Sequence, residues 1–325
     1  MKRVAKPAGK FNIQIEDAPM PAPGPQEIRI RAVRTLISRG SEIGRRYTRE
    51  EAIDPEMMGY SLAGVVDAVG PGVDHYAVGD RVSAIAPHAE FTVRKVAVRS
   101  PLDQPHVYQI PKRVTFDQAP YHPLVSSAVG WVDLEQIRRD DTVVIVGQGL
   151  VGSLILQVAK ANGQGRLIAV DALASRCARA LEFGADAAID SSQEDPVRAV
   201  QRLTNGVGAE IVVYAVGGPA GPRAFEQAVE MVATYGLLHL IGLYEGAPLP
   251  LHSSKIQRRR ILGGYCGRNP DTASGLRAMQ LLAMGAIHAD RMTSHHFPYT
   301  RAAEAFDLLY NRLGEAMGVI LDWDT

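Results

Sequence analysis

Thr142-Val143-Val144-Ile145-Val146-Gly147-Gln148-Gly149-Leu150-Val151-Gly152 is the stretch that decides how this 325-residue chain folds. An apolar strand runs straight into three glycines, and a helical pattern continues from Val151 to Lys160. The first glycine permits a tight turn, the second admits a pyrophosphate against the backbone, and the third lets the helix pack on the sheet. Unpaired N–H groups at the helix start, around Leu150 and Val151, and their partial positive charge suit phosphate. Residues 142–159 are almost long enough and apolar enough to span a bilayer, but the glycines with Gln148, Ser153 and Gln157 favour strand, turn and helix.

Asp171 closes the next strand, about twenty residues beyond the turn, where a carboxylate accepts hydrogen bonds from the adenosine ribose hydroxyls. Its charge repels the 2′-phosphate of NADP, while Arg176 would attract it. The combination favours NAD(H) over NADP(H). The plainer alternative is a glycine-rich turn that holds no nucleotide. Working outward, strands at 143–146, 167–170, 187–189, 211–215 and 237–241 alternate with helix-length segments at 173–183, 196–203 and 223–233. That rhythm predicts a doubly wound parallel sheet of Rossmann type. Gly217, Gly242 and Leu243 follow two of its strands and join the cofactor-binding set of Gly147, Gly149, Leu150, Val151, Gly152, Asp171 and Arg176.

The first third is β-rich. Ile28, Ile30 and Ala32 alternate with Arg29, Arg31 and Val33, and short strands at 62–69, 82–86 and 91–98 suggest a small barrel. Beyond residues 261–265, helices near 272–284 and 300–313 and a strand at 318–321 are expected to return to that first domain. The expected division is 1–122 with 265–325, and 123–264.

Composition narrows the functions. Thirty-five Lys and Arg balance 35 Asp and Glu, so no overall field draws the chain to nucleic acid or to an acidic membrane surface. A small-molecule substrate is the default. Two cysteines are too few for a Cys-rich zinc module, and residues 1–17 contain no apolar signal core. A reducing cytoplasm is expected.

The segments Gly64-Val65-Val66-Asp67-Ala68-Val69-Gly70, Val78-Gly79-Asp80-Arg81-Val82 and Phe183-Gly184-Ala185-Asp186, together with the glycine turn, resemble the medium-chain dehydrogenase/reductase superfamily. That resemblance implies a GroES-like β-barrel catalytic domain beside the Rossmann domain, and a homodimer joined through the latter. Zinc members carry Cys-Gly-Thr-Asp and Gly-His-Glu. Here those segments read Ser38-Arg39-Gly40-Ser41-Glu42 and Gly59-Tyr60-Ser61, with Arg39 at the cysteine position, so the resemblance implies a zinc-independent enzyme. A third zinc-side position falls at His122. Residues 36–42 resemble a zinc-lacking branch that includes bacteriochlorophyllide a dehydrogenase-like proteins, whose members act on pigments, sugars and cyclitols.

Without metal, the negative charge that hydride transfer places on oxygen needs another donor. Ser41 sits where the family keeps a proton-relaying hydroxyl, or else caps the following helix. His122 offers a near-neutral pKa for acid–base exchange, or else satisfies a buried carbonyl. Tyr60 offers a phenolic hydrogen bond, or else packs as an aromatic. The leading expectation is a dehydrogenase or ketoreductase for a secondary alcohol and its ketone. The alternatives are an enoyl- or quinone-type C=C reductase and a non-catalytic NAD(P)-binding protein. Ser41 after Gly40 favours alcohol chemistry.

Overall fold

A computed structural model of the chain describes residues 1–96, 106–163, 165–242, 248–264 and 272–324. Two compact units emerge, Met1–Ser127 with Asn269–Thr325, and Ala128–Arg268. The division falls inside the helix His122–Glu135. A continuous helix shows no break in its apolar pattern, so the sequence offers no mark at residue 127.

The second unit is built on an all-parallel sheet. Its strands lie in the order Ala187–Asp190, Arg166–Asp171, Thr142–Val146, Ala209–Tyr214, Val232–Leu240 and Arg260–Gly263. Thr142–Val146 is central, and Val143, Val144 and Ile145 are wholly buried, as a strand covered on both faces requires. Chain order reverses between it and Ala209–Tyr214, which makes the carboxyl edge there the switch point where such sheets bind ligands. The predicted helix at 223–233 is observed as Gly221–Met231, and the next strand starts at Val232 rather than 237. Both elements are apolar, so periodicity blurs the junction. Tyr235, at φ 68°, and a register shift opposite Ala209 and Ile211 break the strand's alternation.

In the first unit a seven-stranded mixed sheet surrounds the long strand Glu27–Leu36, which pairs with Leu62–Val69, Phe91–Lys95 and Gly318–Asp322. Ile28, Ile30 and Ala32 point into the core as predicted; Val33 is buried too, because the register shifts between Ala32 and Arg34. That core takes Phe306, Val319 and Leu321 from the C-terminal segment. Among the described residues no helix is long and apolar enough to cross a membrane.

Lys6 follows the strand Lys2–Ala5 and is 1% exposed. Its ammonium donates to the carbonyls of Pro7 (3.1 Å), Gly9 (2.8 Å), Arg49 (2.5 Å) and Glu51 (2.9 Å). This cage ties the N-terminus to the chain just beyond the helical segment Arg39–Tyr47. Lys6→Met leaves those carbonyls without their donor, and we expect a loss of about 2–4 kcal/mol in urea unfolding. A change below about 0.5 kcal/mol would show that water replaces the ammonium freely.

Candidate active site

The glycine turn has the geometry its sequence implies. Gly147 sits at φ 96°, where a Cβ would lie 2.9 Å from Val216 and 3.0 Å from the Ala215 carbonyl. Its N–H donates to Val170 O at 2.7 Å. Gly149 is the extended N-cap of Leu150–Ala161 and makes no side-chain cap, so the N–H groups of the first turn are left for a ligand. Around Gly149 the space is open, with only Arg176 Nη1 4.0 Å from where a Cβ would be.

Asp171 is held by two backbone donors. Gln148 N–H reaches Oδ2 at 2.7 Å and Leu173 N–H reaches Oδ1 at 3.0 Å. Arg176 Nη1 lies 3.8 Å from Oδ2. On the same edge, Ile241 and Gly242 N–H both reach Tyr214 O, at 2.9 and 2.8 Å. A Cβ on Gly242 would meet Val216 O at 2.3 Å. Gly217 is exposed beside this pinch, and Leu243 lies outside the described residues. The open glycine cradle, the helix start and the fixed carboxylate suit a nicotinamide dinucleotide.

The first unit brings together Ser38, Ser41, Glu42, Tyr60 and His88. Residues Arg39–Tyr47 form a wide helical turn with Ser38 as its N-cap, and Ile43 N–H reaches back five residues to Ser38 O. Ser38 makes no side-chain cap. Instead, Glu42 Oε2 accepts Ser38 N–H at 2.8 Å, and Oε1 lies 2.8 Å from His88 Nε2. Tyr60 is half-buried. Burial pushes its phenol up to about 12; the Ser38 hydroxyl pulls down, the Glu42 charge raises further, and the Ser41 hydroxyl and Arg46 charge pull down again. The N-cap position is held by Ser38, not Ser41. Sequence reasoning missed Glu42 and His88 because their pairing spans 46 residues.

The segments that match the zinc-ligand segments of the resembled superfamily do not suit zinc. Arg39, Tyr60 and Ser61 offer a guanidinium, a phenol and a hydroxyl, not the Cys, His or carboxylate ligands zinc takes. Among the described residues no group of three or more His, Cys, Asp or Glu side chains is gathered for a metal.

His122 requires a correction. It is 2% exposed, and Nε2 lies 2.9 Å from Gly275 O. The Tyr108 ring packs on it with centroids 4.5 Å apart. Burial pushes its pKa down to about 4, against a smaller upward pull from Gly275 O. It is a neutral histidine donating Nε2–H to a backbone carbonyl, and it cannot supply an ionisation near neutrality.

Comparison with known proteins agrees with this geometry. A family model described as zinc-binding dehydrogenase matches residues 151–283. Sorbitol dehydrogenase of Homo sapiens is 27% identical, with 94% of this chain and 92% of that protein covered. L-threonine 3-dehydrogenase of Pyrococcus abyssi is 26% identical over 95% of each. Among solved structures, an Escherichia coli alcohol dehydrogenase complexed with NADH superposes with a TM-score of 0.83 at 20% identity, covering 99% of both chains. A zinc-binding dehydrogenase from Sinorhizobium meliloti bound to NADP gives 0.84 at 22% identity, covering 99% and 98%. The chain is an oxidoreductase: it matches the zinc-binding dehydrogenase model over residues 151–283 and is similar along its length to dehydrogenases of the medium-chain dehydrogenase/reductase superfamily.

His122 makes an acid-stability prediction. The unfolded chain takes up a proton near pH 6.5 and the folded site only near 4, so this contribution is complete above about 6.5 and is lost as pH falls toward 4. Between pH 7 and 4 the wild type should lose about 3 kcal/mol more than His122→Gln. Parallel stability curves in urea unfolding would refute the depressed pKa.

Proposed function

We propose that this chain is a zinc-independent, NAD(H)-preferring dehydrogenase or ketoreductase acting on a secondary alcohol and its ketone. The observation that carries the reading is Tyr60, a phenol that burial keeps protonated beside Ser38, Ser41 and Glu42, on segments where zinc members of the resembled superfamily carry ligands. The names of the relatives, sorbitol and threonine dehydrogenases, support alcohol chemistry over C=C reduction. A polyol, cyclitol or pigment-like secondary alcohol is the substrate class, in keeping with the likeness of residues 36–42 to the zinc-lacking branch. The outer strand Arg260–Gly263, with Ile261 exposed, supports a homodimer built on the dinucleotide unit.

Gly147, Gly149 and the start of Leu150–Ala161 hold the pyrophosphate, and the second lone pairs of Asp171 take the ribose hydroxyls. When bound, the nicotinamide supplies the hydride to the carbonyl carbon. Tyr60 O–H and Ser41 O–H hydrogen-bond the carbonyl oxygen and stabilise the charge that grows there. Tyr60 then gives its proton to the alkoxide, Ser38 and Ser41 stabilise the phenolate, and water restores the proton. Alcohol oxidation runs this sequence backward and starts from the phenolate.

Fluorescence titration should show NADH binding at least about tenfold more tightly than NADPH, a gap of roughly 1.4 kcal/mol, and Asp171→Ala should narrow it. Equal or tighter NADPH binding would mean that Arg176 dominates.

Activity should persist in a zinc chelator. Ketone reduction should be flat in rate from mildly acid to mildly alkaline pH, since Tyr60 stays protonated until about 12, while alcohol oxidation should rise with pH throughout. Tyr60→Phe should lower turnover by roughly 10²–10⁴ with NADH affinity unchanged. Full activity in Tyr60→Phe, or loss of activity on chelation restored by zinc, would overturn the assignment.

A further inference from the structure

Glu42 and His88 are both wholly buried, and neither belongs to the proton donors just described. The carboxylate grips one side of the site. Glu42 Oε2 takes Ser38 N–H at 2.8 Å, which fixes the turn that carries Ser38 and Ser41. The imidazole grips the other side. His88 N–H donates to Met58 O at 2.7 Å, and Val4 N–H donates to His88 O at 2.8 Å. The His88 ring lies against Gly59, where φ is 106° and a Cβ would fall 2.7 Å from His88 N and 2.9 Å from Cδ2. The residue after Gly59 is Tyr60. The 2.8 Å contact between Glu42 Oε1 and His88 Nε2 therefore joins the hydroxyl-bearing turn to the phenol-bearing turn.

We propose that Glu42 and His88 are positioning residues, a buried pair that sets the mutual geometry of Ser38, Ser41 and Tyr60 in place of a shared metal ion. The proposal rests on Tyr60 being the proton donor. Mere glue would be better made of apolar side chains, because an ionised carboxylate costs several kcal/mol to bury even when paired. Among the described residues His88 Nδ1 finds no hydrogen-bond partner, so the contact of Nε2 with Glu42 is what orients the ring. The charged groups acting on Tyr60 are Glu42, which disfavours the phenolate, and Arg46, which favours it. Glu42 therefore also helps keep Tyr60 protonated until the alkoxide forms.

The test compares Glu42→Gln, His88→Gln and His88→Ala with Tyr60→Phe. Glu42→Gln keeps an acceptor for Ser38 N–H and removes the charge; His88→Gln keeps an N–H for Glu42. Each folded variant is measured for kcat, KM, NADH affinity and the ionisation of Tyr60, read by ultraviolet difference titration against Tyr60→Phe. Glu42→Gln should lower kcat about tenfold to a hundredfold, leave NADH affinity unchanged and move the Tyr60 ionisation to lower pH. His88→Ala should lose a similar factor in kcat, and His88→Gln should recover most of it. Should His88→Ala fail to fold, Glu42→Gln and His88→Gln carry the test alone. If Tyr60→Phe is inactive while folded Glu42→Gln keeps full kcat and an unmoved Tyr60 ionisation, the pair is overturned and the donor assignment stands. If Tyr60→Phe is fully active, the donor assignment falls and the pair's catalytic role falls with it.

Discussion

At Gly152 a Cβ would lie 1.8 Å from the carbonyl oxygen of Gly147, a separation that no side chain tolerates. Only hydrogen there lets the helix Leu150–Ala161 come down onto the end of Thr142–Val146. That approach leaves the first-turn N–H groups facing open space beside Gly149. It also brings Gln148 N–H to Asp171, so one turn fixes the next, and Asp171 in turn accepts Leu173 N–H at the start of the following helix. Two successive βα turns are thus coupled through a single carboxylate. Asp171 is held in one orientation by these two donors, and a group fixed in advance reduces the ordering cost of any ligand it takes.

In the first unit a different glycine plays the comparable part. Gly59 is forced into the left-handed region, with His88 packed where its side chain would be. The unit then has a rigid turn next to a rigid helical segment. The contact that joins them, between Glu42 and His88, is hydrogen-bonded and sealed from water, and a low-dielectric setting makes such a bond more consequential.

The parts of the molecule written locally were legible in the sequence. A strand, three glycines and a helix lie within about twenty residues, and their periods and φ requirements are properties of neighbouring residues. The alternation at Ile28, Ile30 and Ala32 is local as well. What escaped is tertiary. Glu42 with His88 spans 46 residues, and the other buried pair, Glu135 with His239 at 2.8 Å, spans 104. The carbonyl cage of Lys6 draws on Arg49 and Glu51, more than forty residues away. His122 illustrates the same limit from the other side. Its residue type suits proton transfer, but solvent exclusion by Tyr108 and the Gly275 carbonyl is not encoded near it. Tyr60 was visible as a phenol between Gly59 and Ser61; its burial near Ser38, Ser41 and Glu42 needed the fold.

Placing an anion near an oxygen that becomes negative looks self-defeating, and the charge pattern resolves it. At an effective dielectric constant near 20, two like charges about 6 Å apart repel by roughly 3 kcal/mol, enough to cancel a good hydrogen bond. Glu42 accepts Ser38 N–H through Oε2 and contacts His88 through Oε1, so neither oxygen is left to face a substrate without a partner. The same helical segment carries Arg39, Arg45 and Arg46 against that one carboxylate, an excess of positive charge over the short distances where screening is weak. An oxyanion near this segment meets a net favourable field. The phenol feels Glu42 more than Arg46, which is unfavourable for its own ionisation. In the proposed mechanism the arginines favour negative charge on the alkoxide and, after proton transfer, on the phenolate, whereas Glu42 opposes the phenolate and so holds the proton on Tyr60 until the more basic alkoxide draws it away.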